Sequence, residues 1–452
     1  NGSLLAEPHT VLKPDGQPYK IFTAYNKRAM ANMVVPFPIA APALQVSTLK
    51  AANAIATKAV INANKQPWHK TLTEHCEPGE QAAKSALAEF LQQQLETYHP
   101  NRDFPNKMAT SGMSAHLHFG EISPRQIWHA SVQSAGFEAS FAFLRQVMWR
   151  EFSYYQLYHF PDLANSPLKP IFKHYPWVHN EEHLKRWQQG LTGIPIIDAG
   201  MRELWQTGIM HNRVRMLCAS FLCKNLQINW QDGAAWFWDC LVDADIANNS
   251  AGWQWVAGSG ADSSPYFRIF NPETQSRKFD ANAEYIRRFC PELSNLSNSE
   301  IHAPWLCSSQ RLKEAQINLG ENYPKPIVDL KISRQQALAN YQQLKHIKED
   351  CFMLWQNDNA IIVGKHQNTM AEINVDYVRE KEIRVVRRLS GGGAVYHDLG
   401  NLNFSFTRTG ENTEVVDFER YTKPIIDVLN GMGVAAKFEG RNDLTIDGKK
   451  FS

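Results

Sequence analysis

The segment MHNRVRMLCASFL, residues 210–222, places Val214, Leu217, Cys218, Phe221 and Leu222 at i, i+3, i+4, i+7 and i+8. That spacing gathers five apolar side chains on one stripe of an α-helix, so the helix must lie inside a packed helical body. Asn212, Arg215 and Met216 leave the stripe and project toward whatever the helix faces. Moving outward, GEQAAKSALAEFLQQQLETY (79–98) is built of strong helix formers, with Leu87, Phe90, Leu91 and Leu95 along one face. Helical patterns run on to about residue 290. In LVDADIANNSAGWQWVAGSGADSSPYFRIFN (241–271), Asp243 and Asp245 stand two residues apart among Asn and Trp. As residue types they suit capping and turns. They equally suit the polar edges of a buried cofactor, with Arg215 as counter-charge. No His or further carboxylate follows at ligand spacing, so no metal site is expected.

Composition sets the outer limits. A chain of 452 residues, 43% hydrophobic and 20% charged, holds two or three globular domains. It contains no run of eighteen apolar residues, and its start, NGSLLAEPHT, lacks a signal-peptide pattern. Seven cysteines without a CxxC pair signal neither disulfides nor zinc, and a cytoplasmic location is expected. A net charge of +2 means that nucleic-acid contact must come from a local basic patch. Twelve of the thirteen tryptophans fall at or before Trp305, which hints at a boundary. Residues 1–30 read as the tail of a preceding domain and 31–75 as a linker. A helical domain follows over 76–345. Beyond it come short strand-like runs at 351–356, 360–364, 383–389, 402–407 and 434–439, with one helix from Phe418, making an α+β domain over 346–452.

Six motifs, in order, resemble the photolyase/cryptochrome family: TSGMSAHLHFGEISPRQ (110–126), RQVMWREFSYY (145–155), LTGIPIIDAGMREL (191–204), MHNRVRMLCASFL (210–222), DADIANNSAGWQW (243–255) and PYFRIFNPETQSRKFD (265–280). The resemblance spans about residues 2–345 and is similar to class I cyclobutane-dimer photolyases. It implies a mainly α fold, an all-helical FAD-binding domain preceded by the tail of an α/β antenna domain whose pigment is unknown. Tyr98 and the turn Thr110, Ser111, Gly112, Met113, Ser114 match the segment that holds the FAD phosphates. Gln146 and Arg150 match positions flanking cofactor and lesion. Asn212, Arg215, Asp243 and Asp245 match groups around the isoalloxazine and ribityl chain, and Asn249 matches the residue beside flavin N5.

By the same resemblance Trp149 and Trp255 wall the cavity for a flipped pyrimidine dimer, and Met216 touches it. Gln146, Arg150, Asn212, Arg213 and Gln275 belong to the DNA contact, with phosphates met by Arg150, Arg213, Arg268, Arg277 and Lys278. Trp253, Trp230 and Trp177 match the chain that photoreduces the flavin. Trp187, Trp236 and Trp238 are expected in the core, and His116, His118 and His211 are expected to be structural. The implied activity is light-dependent repair of cyclobutane pyrimidine dimers by electron transfer from excited reduced FAD, in a monomer acting on damaged DNA away from membranes. A cryptochrome-type photoreceptor is the alternative on the same fold.

The last hundred residues carry a different likeness. RRLSGGGAVYHDLGNLNFSF (387–406) and GRNDLTIDGKKFS (440–452) resemble the lipoate-protein ligase family. On that resemblance Arg387, Arg388, Gly391, Gly392, Gly393 and His397 belong to a site for lipoate and its adenylate, and Lys450 contacts the activated carboxyl. Asp447-Gly448 reads as a type I′ hairpin turn. A partial ligase-like domain is expected, and its joining to the first domain reads as chimeric.

Overall fold

The computed structural model describes residues 2–39, 69–263, 267–346, 351–388, 393–407, 418–439 and 443–450. It divides into two compact units, Asn1–Tyr341 and Gln342–Ser452.

The first unit is helical. The helices that matter for the site are α1 (Phe22–Asn32), α2 (Glu80–Gln93), α3 (Met113–Phe119), α4 (Pro124–His159), α5 (Pro195–Thr207), α6 (Asn212–Ser220), α7 (Trp230–Cys240), α8 (Ile246–Ala257) and α9 (Pro272–Phe279). The helix forecast over 79–98 stops earlier. Gly79 caps it at φ 117, the chain turns after Gln93, and Leu95 is buried outside the helix. A capping box between Ser123 and Gln126 starts α4, and Gly136 at φ 78 breaks it, a conformation only glycine adopts freely.

Two apolar cores hold the unit. One gathers α5 to α8, and all five residues of the decisive stripe are in it: Val214, Leu217, Cys218, Phe221 and Leu222. The last two lie in a π-helical turn, Phe221–Asn225, that continues α6. This wider turn presents Lys224, which is fully buried and donates to the carbonyl of Ala257 at 2.5 Å, closing the carboxyl end of α8. The second core packs Leu5, Val11, Phe22, Tyr25 and Ala29 against Phe90, Tyr98, Phe143 and Phe152. The stretch read as the tail of a preceding domain is therefore built into this helical unit. Its apolar residues are the lining that α4 needs.

The linker expected over 31–75 lies mostly outside the described residues; α1 runs to Asn32 and a further helix covers His69–His75. Of the tryptophans assigned to the core, Trp187 is fully buried and Trp236 partly so, but Trp238 is 51% exposed. On a helix whose buried residues are Trp230, Gly233 and Phe237, position 238 falls on the outer face, and the correction follows from that spacing.

The second unit is α+β. Among the described residues its strands form three small sheets, Cys351–Trp355 with Asn403–Thr407, Arg384–Arg387 beside Ala360–Val363 beside Val395–His397, and the antiparallel set Ala436–Glu439, Asp443–Ile446, Lys449–Lys450. The last turn has Asp447 at φ 50 and Gly448 at φ 73, both positive as a type I′ hairpin demands.

Close packing around Trp253 makes the first prediction. A Cβ at Gly233 would stand 2.1 Å from Trp253 Cη2 and 2.6 Å from Leu222 Cδ2, whereas one at Gly252 meets nothing within 4 Å. Gly233→Ala should cost about 1–3 kcal/mol. Gly252→Ala should be neutral or stabilising by roughly 0.5–1 kcal/mol. Thermal unfolding of both variants measures the contrast, and equal midpoints would refute the packing.

Candidate functional site

The site grows from both ends of α8. At its start Asp245 is the N-cap, accepting from the Asn248 backbone N–H at 2.7 Å and the Asn248 side chain at 3.0 Å. Its other carboxylate oxygen accepts a short hydrogen bond from the hydroxyl of Tyr154, and His118 Nδ1 stands 3.9 Å away. Arg150, one helical turn before Tyr154 on α4, lies over the Tyr154 ring at 4.5 Å. Arg150 also donates to the Ser3 carbonyl at 2.9 Å and to Glu151 at 3.2 Å. The capping reading of Asp245 is thus borne out, and the same carboxylate also meets Tyr154.

Two residues earlier, Asp243 accepts from Arg215 Nη2 at 2.9 Å, and the Arg215 Nε is spent on the Met210 carbonyl at 2.7 Å. Burial is the largest influence on Asp243 and pushes its pKa up. Arg215 and the hydrogen bonds, one from the Ser114 hydroxyl, outweigh it and hold the carboxyl below its ordinary value. Asp243 Oδ1 is nevertheless buried with no hydrogen bond of good geometry among the described residues. The turn Thr110–Ser114 therefore meets α6 and the 243–245 segment at one place. Gly112 enters α3 at φ 65, and Thr110, Gly112 and Ser114 are exposed. Asn212 is exposed one turn from Arg215, and Asn249 donates to the Ala234 carbonyl at 3.0 Å, tying α8 to α7. Tyr98 is buried between Phe90 and Phe143, in the same core as Met113.

Exposed donors, a carboxylate with an open lone pair and an arginine beside it fit a group with both N–H and acceptor edges. FAD is such a group. Among the described residues no cluster of His, Cys, Asp or Glu could hold a metal ion.

A separate cavity of about 660 Å³ is lined by Arg213, Arg268, Gln275 and Lys278, together with Asp103 and Phe104. Four residues expected at the DNA contact thus share one surface. Arg277 does not line it, being held by Glu273 at 2.9 Å and the Ser299 carbonyl at 2.6 Å. Arg213 pairs with Asp103 at 2.9 Å and lies over the Phe279 ring at 4.3 Å. Beside it burial pushes His211 down to about 4, so this imidazole is neutral, and its Nδ1 accepts from the Arg213 backbone N–H at 3.2 Å.

The aromatic residues divide differently. Trp149 stacks on Phe22 at 3.7 Å, and Trp255 packs on the α5–α8 core. Met216 receives a long contact from Asn212 at 3.7 Å. Gln146 is partly buried and bonds only weakly, at 3.4 Å, to the Ala142 carbonyl. Trp253 and Trp230 are both 3% exposed in one core, and Trp177 packs against it from the side, with its ring 4.4 Å from that of Tyr175.

The sequence reading missed Tyr154, Asp103 and Phe22. For Tyr154 the signal was available, since it follows Arg150 by four residues on a helix. The partners of Asp103 and Phe22 come from more than a hundred residues away and leave no local trace.

In the second unit Arg387 donates to the carbonyls of Gly364, Lys365 and Gln367 at 2.7, 3.1 and 2.8 Å, and Arg388 donates to the Gly393 carbonyl at 2.9 Å. His397 Nδ1 meets Asn357 at 2.9 Å. Gly391, Gly392 and the Lys450 side chain lie outside the described residues.

Arg215→Met tests the buried pair. Removing one partner of a buried ion pair costs about 3–5 kcal/mol. The sign with pH follows. The depressed Asp243 pKa gives stability that is present above the ordinary carboxylate value and lost as pH falls through the lower folded value. Without Arg215 only the hydrogen bonds oppose the rise from burial, so the Asp243 pKa moves up and the variant should lose less stability than the unmodified protein, or gain some, on acidification from neutrality to about pH 5. Denaturant titrations at both pH values measure it. A variant with the unmodified protein's pH trend would show that Asp243 is not dependent on Arg215.

The FAD-binding domain of DNA photolyase matches residues 143–343, and the lipoyl protein ligase A/B catalytic domain matches residues 331–452. A deoxyribodipyrimidine photo-lyase of Agrobacterium fabrum is 44% identical over 350 residues, which are 76% of this chain and 73% of the relative. Cryptochrome-1 of Arabidopsis thaliana is 36% identical over 359 residues, covering 76% of this chain and 53% of that one. The crystal structure of a bacterial class III photolyase from Agrobacterium tumefaciens superposes with a TM-score of 0.67 at 43% identity, covering 76% of this chain and 72% of its own.

Proposed function

We propose, from the premise that this chain belongs to the DNA photolyase family, that it binds FAD and repairs cyclobutane pyrimidine dimers in DNA under blue light. The observation that carries this is the pairing of Arg215 with the buried Asp243 carboxylate beside the Thr110–Ser114 turn, with a basic cavity on the same unit. Arg215, Asp243, Asp245, Asn212 and Asn249 would hold the ring and ribityl portions, and Tyr98 with Thr110, Ser111, Gly112, Met113 and Ser114 the phosphates. When bound, FAD supplies the light-excited electron donor that opens the dimer.

The residues of the chain do the rest. Asp243 stays ionised because Arg215 neutralises it, so it offers a fixed acceptor in a dry place. Tyr154 and the helix start keep Asp245 from turning away. Arg213, Arg268 and Lys278 supply positive charge for phosphates, with Gln275 on the same cavity, while Gln146, Arg150, Trp149, Met216 and Trp255 receive the lesion. Trp177, Trp230 and Trp253 carry electrons inward from the surface. The motifs resemble class I, whereas the 43% identical structure is a class III photolyase.

No helix among the described residues is long and apolar enough to cross a membrane. We place the chain in the cytoplasm as a monomer; the six described cysteines are free thiols, which a reducing compartment keeps so. For the second unit, the match to the lipoyl ligase catalytic domain supports a lipoate or adenylate site at Arg387, Arg388, Gly391, Gly392, Gly393, His397 and Lys450.

The test is a blue-light assay on an oligonucleotide carrying one thymine dimer, with the flavin chemically reduced. Loss of the dimer only in the light supports repair. Bound, photoreducible flavin with no loss of dimer would favour the cryptochrome reading. Trp253→Phe separates two roles in the same assay. It should stop photoreduction of oxidised flavin and spare repair by pre-reduced protein; equal loss of both would make Trp253 structural.

A further inference from the structure

The two tryptophans given to the lesion cavity are seated in different places. Trp149 belongs to α4 and the N-terminal core, while Trp255 belongs to α8 and the α5–α8 core. The gap between them depends on what ties those bodies together near the cavity. One tie is unexpected. The Phe22 ring lies flat on Trp149, with centroids 3.7 Å apart and planes 8° apart. Phe22 is 1% exposed and stands at the start of α1. Just before it, the Lys20 carbonyl accepts from the Asp262 backbone N–H at 2.9 Å, and the Phe22 backbone N–H near the Asp262 carboxyl pulls its pKa down against the rise from burial. Asp262 adopts φ 49, a left-handed turn conformation that aspartate tolerates better than most residues. The Asp262 N–H bond to the Lys20 carbonyl ties this loop residue to the entry of α1.

Asp262 lies in the loop that leaves the carboxyl end of α8, a few residues after Trp255. The start of that loop, at Gly260, is tightly seated. Gly260 donates to the Gln254 carbonyl at 2.9 Å, and a Cβ on Gly260 would stand 3.1 Å from the Trp255 backbone nitrogen. Arg145, one turn before Trp149 on α4, has its guanidinium 5.7 Å from the centre of the Phe22 ring and also lowers the Asp262 pKa against the rise from burial. Arg145, Phe22, Trp149 and Asp262 thus form one cluster that spans from α4 to the end of α8.

We infer that the Lys20–Phe22 segment and Asp262 act as a clamp that sets the two walls of the lesion cavity, so that Phe22 and Asp262 are positioning residues for lesion recognition. The inference rests on the proposed lesion-binding role of Trp149 and Trp255. Phe22 fixes the plane of the Trp149 indole, and Asp262 fixes the loop behind Trp255. A splayed dimer stacks well only between walls whose planes are preset, because ordering them on binding would cost affinity.

The experiment is equilibrium binding of the full chain to matched oligonucleotides with and without one thymine dimer, with flavin absorbance recorded on every sample. Phe22→Leu keeps an apolar filler and loses the stack. Asp262→Gly keeps the backbone conformation and loses the acceptor. Each should reduce preference for the damaged oligonucleotide by about three- to tenfold, in line with the worth of one aromatic pair or one hydrogen bond. Affinity for undamaged DNA and flavin absorbance should stay within twofold. Phe22→Tyr and Asp262→Asn, which retain stack and acceptor, should restore the preference. Unchanged preference in both loss variants, with normal preference in the unmodified protein, overturns the clamp alone. Equal loss in the conservative pair also overturns it, by showing that any change there disturbs folding. If the unmodified protein has no preference, the lesion-binding reading itself fails, and the clamp with it.

Discussion

The buried pair of Arg215 and Asp243 is the constraint around which the rest of the site is arranged. An ionised carboxylate in an apolar interior is costly unless a cation and hydrogen bonds accompany it. Arg215 meets that need from α6, and the Ser114 hydroxyl adds to it from the start of α3. Three segments far apart in sequence are drawn to one point by a single charge. An ion pair so placed adds little net stability, since its desolvation cost offsets its attraction. Its value lies in geometry, because any other arrangement of the three segments would leave a charge buried alone.

Helix α8 carries that geometry outward. Its amino end is capped by Asp245, held in turn by Tyr154, and its carboxyl end is closed by Lys224 on the Ala257 carbonyl. Burial pushes Lys224 down to about 7, and the Phe267 ring 3.2 Å away offers it a cation–π contact. With both ends tied, Asn249, Trp253 and Trp255 have little freedom to rotate about the helix axis. Trp253 is wedged between Trp187, Phe237 and the bare backbone of Gly233. A rigid helix bearing polar residues at one end and aromatic ones along its length is what orientation of a cofactor and a base stack requires.

Much of this was legible in the sequence, and the reason is periodicity. The stripe from Val214 to Leu222 is buried throughout, the strand runs after residue 350 fall within a residue or two of their forecast ends, and Asp447-Gly448 turns as its dipeptide dictates. Local chemistry is repeated in local pattern. The failures share a cause as well. The packing of residues 1–30 on α4 is not legible in their own pattern, because their apolar residues have no helical or strand rhythm before Phe22 and the surface they cover lies more than a hundred residues on. Trp238 was assigned by residue type, although its helix turns that position outward. The partners of Asp103, Phe22 and Asp262 are set by tertiary contact, which no window of sequence contains.

The central claim is that the Arg215–Asp243 centre holds one flavin, and the most direct measurement is the amount of FAD bound per chain. The unmodified protein should carry or take up one FAD per chain without a covalent bond, released intact when the protein is denatured. Asp243→Asn, which removes the charge at constant size, should lower FAD affinity by at least about tenfold, the scale of one charge-assisted hydrogen bond. An unmodified protein that folds and binds no FAD, or a variant that holds it as tightly, would contradict the account.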